Sequence, residues 1–160
     1  MMKRRKLLIA GAFAALTAAA PVLAQHSDVL LTIRGVGDVR HLTRADLEAM
    51  ETVSFETSTI WTDGVQSFTG VPLSAIAASL GVRNGTLLAS AVNDYTIEFP
   101  VVDAMQDGPV IAFLRNGAPM SVRNKGPLWL VYPFDSDPAF QTELAYSRSI
   151  WQMDRLAWQP

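Results

Sequence analysis

The alternation of apolar and polar residues along this chain changes rhythm several times, and each change predicts an element. Val29 to Ile33 is a β-branched and apolar run closed by Gly35 and Gly37, which predicts a strand and a turn. Thr43-Arg-Ala-Asp46 has the spacing of a capping box and predicts a short helix through Met50. Phe68 to Pro72 leads into Leu73, Ile76, Ala77 and Leu80, which are apolar at helical spacing. Pro72 suits the first turn of that helix and Gly81 its C-terminal cap. Strand patterns then dominate: Thr86 to Val92, Tyr95 to Phe99, Val110 to Leu114 and Leu128 to Tyr132, with Asn116-Gly117 as a hairpin turn after the third. A last, less regular alternation runs from Trp151 to Trp158. Short helices set between more numerous strands predict an α+β domain with a mixed or antiparallel sheet. No glycine-rich phosphate loop follows any of these strands, which removes the main support for a nucleotide-binding α/β fold.

The beginning of the chain follows other rules. Lys3, Arg4, Arg5 and Lys6 precede the apolar run Leu7 to Ala20 and the small-residue end Val22-Leu23-Ala24, the pattern of a cleavable export signal over residues 1–24. Residues 25–160 then form one domain, expected in a bacterial periplasm. Cleavage after Ala24 removes four of the 13 basic residues and none of the 15 acidic ones, leaving a net charge of -6. An acidic product lacks the basic footprint that neutralises phosphates, so nucleic-acid binding is not expected. No second apolar run approaches the length of a membrane span.

The chain has no cysteine, which excludes disulfides, zinc–thiolate and iron–sulfur centres, and cysteine nucleophiles. Its two histidines, His26 and His41, lie in no nucleophile or metal-ligand pattern, and Asp135-x-Asp137-Pro138 reads as a solvated turn. Aromatic rings accompanied by donors remain. Trp61, Tyr95, Trp129, Trp151 and Trp158 supply flat faces, Arg123, Asn124, Lys125 and Arg148 supply donors, and Asp94 supplies an acceptor beside Tyr95. Such a set suits a flat, hydrogen-bonding heterocycle such as a pterin, whose ring stacks on an aromatic face while a carboxylate accepts from its amino-pyrimidine edge.

Four segments in order, FTGVPLSAIAASLGV, NDYTIEFPVVD, VIAFLRNGAPMSVRNKGPLWLVYPFD and SRSIWQMDRLAW, resemble the molybdopterin-binding domain of the sulfite-oxidase-like oxidoreductases. The likeness extends over about residues 50–158 and implies that family's fold. It matches Arg123, Lys125, Arg148 and Trp151 to cofactor-binding segments and Asp94-Tyr95 to a turn of the site, with Asn93 matched more loosely. Trp61 is added as a ring next to the metal position. Family enzymes hold molybdenum through a cysteine located before the Gly-x-Pro-Leu helix, and here the stretch Val53 to Trp61 offers Phe, Thr and Ser instead. A hydroxyl is a harder and less acidic ligand than a thiolate, so no molybdenum is expected. What is left is similar to the small exported pterin-binding regulatory proteins. That likeness implies a non-catalytic sensor of a reduced pterin, acting on the periplasmic region of a membrane enzyme that makes or degrades cyclic di-GMP. Two alternatives stand beside it: an oxidoreductase holding the molybdenum cofactor through an oxygen ligand, and an interaction module whose pocket is filled by its own side chains.

Overall fold

The computed structural model describes residues 29–104 and 107–160, so the expected export signal and His26 lie outside the described residues. Two sheets share one apolar core. The first has the order β2-β1-β10-β5-β6, built from β1 (Val29–Arg34), β2 (Val39–Thr43), β5 (Thr86–Ala91), β6 (Thr96–Pro100) and β10 (Met153–Gln159). All its pairings are antiparallel except that of β1 with β10, where Ile33 lies beside Leu156. The second sheet runs β3-β4-β7-β8, with β9 also paired to β7. Its strands are β3 (Val53–Ser58), β4 (Val65–Pro72), β7 (Val110–Arg115), β8 (Ala118–Pro119) and β9 (Trp129–Val131). Among the described residues four short α-helices connect them: α1 (Arg44–Glu48), α2 (Leu73–Ser79), α3 (Val101–Ala104) and α4 (Glu143–Arg148). Leu31, Ile33, Leu87, Phe99 and Leu156 of the first sheet and Phe68, Ile111, Trp129 and Leu130 of the second are buried together. The fold is the expected α+β arrangement of mixed sheets and short helices.

Local chemistry accounts for the element ends. The Thr43 side chain accepts from the Asp46 backbone N–H while Asp46 accepts from Thr43 in return, closing the expected capping box. Asn116 and Gly117 both take positive φ, as a two-residue hairpin turn between β7 and β8 requires. Gly81 likewise has positive φ just beyond α2.

Three strands depart from the expectation. Residues 39–43 and 53–58 form β2 and β3, and Phe68 to Pro72, read in the sequence as a lead-in to a helix, is part of the eight-residue strand β4, Val65–Pro72. Pro72 closes that strand and caps α2 instead of entering its first turn. The final strand begins at Met153, two residues later than expected, because Trp151 makes only an isolated bridge to Trp129. Around that bridge the Leu130 N–H donates to Ile150, and the Gln152 and Met153 N–H groups donate to Lys125 and Leu128. Residues 150–153 thus bind the edge of the second sheet before the chain becomes the middle strand of the first.

Candidate functional site

A cleft of about 330 Å³ opens at this crossing. Three segments build its wall: Trp61 after β3, Ala91, Asn93 and Tyr95 around the β5–β6 turn, and Tyr146 through Gln152 from the last turn of α4 into the crossing, Arg148 excepted. Four aromatic rings therefore stand around it, with amide and hydroxyl groups between them, a composition typical of sites for flat organic ligands.

The rings hold one another. Trp61 meets Trp151 at 5.7 Å, Trp129 and Tyr146 at 5.9 Å and Phe134 at 6.1 Å between centroids, all edge to face. Trp129 lies fully buried behind them, and its indole N–H has no partner among the described residues. The Lys125 ammonium sits 4.1 Å from the Trp151 ring centroid and 5.6 Å from that of Trp129, within cation–π range of both. Partial burial, with a smaller contribution from the charge of Arg115, holds the Lys125 pKa below that of an ordinary lysine.

The turn that carries Asn93 and Tyr95 is fixed from two sides. The Asn93 side-chain oxygen accepts from the Tyr95 N–H at 3.2 Å, and Asp94 takes the left-handed conformation, φ 65°. Arg155 on β10 donates one nitrogen to the Ala91 carbonyl at 2.8 Å and to the Asp94 carboxylate at 2.7 Å. Asp94 is thus engaged by Arg155 and is not among the wall residues.

The structure brings Trp61, Tyr95 and Trp151 to the cleft, with Lys125 against the Trp151 ring. It places Arg148 elsewhere: its guanidinium bonds Asp103 at 2.8 Å and lies 4.6 Å from the Phe99 ring centroid. Arg123 stands on the exposed 3-10 turn Val122–Asn124, outside the wall. Tyr146, Ser147, Ser149, Gln152 and the bracing Arg155 were not singled out in the sequence. The signal for the first three was the cap at Thr142, whose hydroxyl accepts from the Ala145 N–H and starts α4.

Fit to a metal is decided on β3. Thr57 is its only fully buried side chain, and its hydroxyl is already committed: it donates to the Ser58 carbonyl at 3.2 Å and accepts from the Asp135 N–H at 3.0 Å. The Asp135 carboxylate accepts from the Ser58 N–H and, at 2.7 Å, from its hydroxyl, which holds its pKa below the usual carboxylate range. No group of three or more His, Cys, Asp or Glu is placed to hold an ion among the described residues. With the chain free of cysteine, these donors do not fit a molybdenum centre held by the protein.

This α+β fold with an aromatic cleft between its sheets falls in a known class. The family described as oxidoreductase molybdopterin binding domain matches residues 18–135, and the chain belongs to that family, which is sulfite-oxidase-like in fold. A solved structure similar to it is the sulfane dehydrogenase SoxCD from Paracoccus pantotrophus, with a TM-score of 0.62 and 23% sequence identity. The alignment covers 82% of this chain and 38% of that one, so this chain spans well under half the length of its structural neighbour. No curated protein matches. The family match ends before α4, so Arg148 and Trp151 lie outside it.

Proposed function

We propose that this chain is a non-catalytic pterin sensor: an exported domain that binds the organic ring of a reduced pterin without a transition metal and reports its presence to a partner. The observation that carries the reading is the cleft itself, where Trp61 and Trp151 stand beside Tyr95 and Tyr146 while the β3 hydroxyl of Thr57 is spent on the backbone. Aromatic faces with interspersed amides reward a flat polar ring. The partner in this reading is the periplasmic region of a membrane enzyme of cyclic di-GMP synthesis or degradation. Ligand acts by linkage, shifting the domain toward the form its partner recognises by no more than its differential affinity for the two forms.

The test is a titration of the purified chain with tetrahydropterins, read by quenching of tryptophan emission, alongside elemental analysis of the protein as isolated. Saturable quenching without molybdenum supports the sensor. Absence of quenching removes it, and molybdenum near one equivalent returns the chain to the oxidoreductases of its family.

A further inference from the structure

The second sheet is open along β3. On β4, Ser67 lies opposite Glu56; its N–H donates to the Asn116 side chain at 2.9 Å and its C=O accepts from the Asn116 N–H at 2.8 Å, both on the β7 side. Glu56 and Ser67 are therefore a non-hydrogen-bonded pair, and the N–H and C=O of Glu56 point away from β4. The Ser58 N–H points the same way, where it meets the Asp135 carboxylate. The β3–β4 register runs unbroken from Val53 to Ser58, so the period of two turns the N–H and C=O of Ser54 outward as well. Among the described residues no strand pairs with this side of β3, and Ser54 and Glu56 are exposed.

The two faces of this edge differ. Val53 and Phe55 lie with Thr57 on the face that carries the core, where they border a groove of about 510 Å³ whose other walls include Ala75 and Ala78 of α2 and Pro133. The groove shares no wall residue with the aromatic cleft. Its wall carries two carboxylates, Glu51 and Asp107, and no cation among the described residues. Glu56 adds a third carboxylate on the opposite face of the strand, and none of the three has an ion-pair partner among the described residues.

We propose that β3 is a strand-addition site for an extended segment of a partner protein in which apolar and basic residues alternate. The backbone of such a segment pairs with Ser54 and Glu56. Its apolar side chains fall on the face of Val53 and Phe55, in the groove, and its cations on the face of Glu56. Charge decides against a second copy of this chain, because two β3 edges laid together bring the same carboxylates against one another. The site is short, since Asp135 covers the edge at Ser58.

The experiment titrates the purified chain into a fluorescein-labelled peptide of alternating valine and lysine, read by anisotropy, beside a peptide with glutamate in place of lysine. The lysine peptide is expected to bind at least about tenfold more tightly, and Glu56→Lys to narrow that gap severalfold. N-methylation of the peptide backbone leaves the protein untouched. Blocking one alternate set of peptide residues, the lysines in an antiparallel addition or the valines in a parallel one, is expected to abolish binding, while blocking the other set is tolerated. Equal loss from both sets, or loss from neither, makes the binding a charge attraction without strand pairing and overturns the proposal. No binding of the lysine peptide, a preference for the glutamate peptide, or a gap unchanged in Glu56→Lys overturns it as well. A dimer in sedimentation that Ser54→Pro, which removes an outward N–H, returns to monomer gives the edge to a second copy and overturns it in turn.

Discussion

Replacing Trp61 by alanine should cost both stability and ligand affinity, in amounts that the geometry sets. The indole meets four rings edge on at centroid distances of 5.7 to 6.1 Å, and each such pair contributes about 0.5–1.5 kcal/mol beyond its buried area. These contributions share partners and do not add, and Trp61 is half-buried, so the loss falls below the ~3–5 kcal/mol of a fully buried tryptophan. About 2–3 kcal/mol is expected. For a domain of this size that lowers Tm by about 10 °C in a circular-dichroism melt. Trp61→Phe keeps a ring against Trp151 and should recover about half of the loss. If the ring also stacks on the ligand, Trp61→Ala weakens pterin binding by about tenfold or more. A Trp61→Ala melt within about 3 °C of the parent would refute the idea that this indole knits the cluster together.

Removing the Thr57 hydroxyl in Thr57→Val leaves the Asp135 N–H without its partner and should destabilise the domain by about 1–3 kcal/mol, read from urea midpoints; a neutral effect would show that water replaces the bond. Asp94→Ala frees Arg155 at an exposed position, so stability should fall by no more than about 1 kcal/mol, read as a small Tm shift, while pterin affinity drops a few-fold through loss of order in the Asn93–Tyr95 turn. A large Tm loss with unchanged affinity would reverse that assignment. The Asp135 pKa is lowered in the folded protein, so its contribution is present above the unfolded carboxylate value of about 3.9 and is lost as pH falls from there through the lower folded value. Melts from pH 7 down to pH 3 should therefore decline more steeply for the parent than for Asp135→Asn, and parallel curves would contradict it.

The elements that were legible in the sequence are those whose burial follows one clean period. Thr86 to Ala91 alternates buried and half-buried positions, Trp129 to Val131 is buried throughout, and α2 buries Leu73, Ile76 and Ala77 on one face. The missed strands lack that contrast: β2 has no fully buried residue, and β3 is mostly hydroxyls and a glutamate. The strand β4 contains Gly70 and closes on Pro72. The structure explains both, since a Cβ at Gly70 would collide with the Ile111 carbonyl where the pairing with β7 slips, and Pro72 sits at the strand's end. At the site, the aromatic residues Trp61, Tyr95 and Trp151 were visible because ring chemistry is carried by residue type. The direction of Arg148 was not, because it depends on α4, which turns that side chain toward Asp103 on α3. The bracing of Asp94 by Arg155 joins positions 61 residues apart and leaves no local trace.

The last strand in chain order is the centre of the first sheet, not its rim. Until β10 has been synthesised, the β1–β2 ribbon and the β5–β6 ribbon share no neighbour, and every pairing that unites them forms in one late step. A deletion reaching back to Met153 would split this sheet in two, and a ribosome still holding the final residues keeps the domain open.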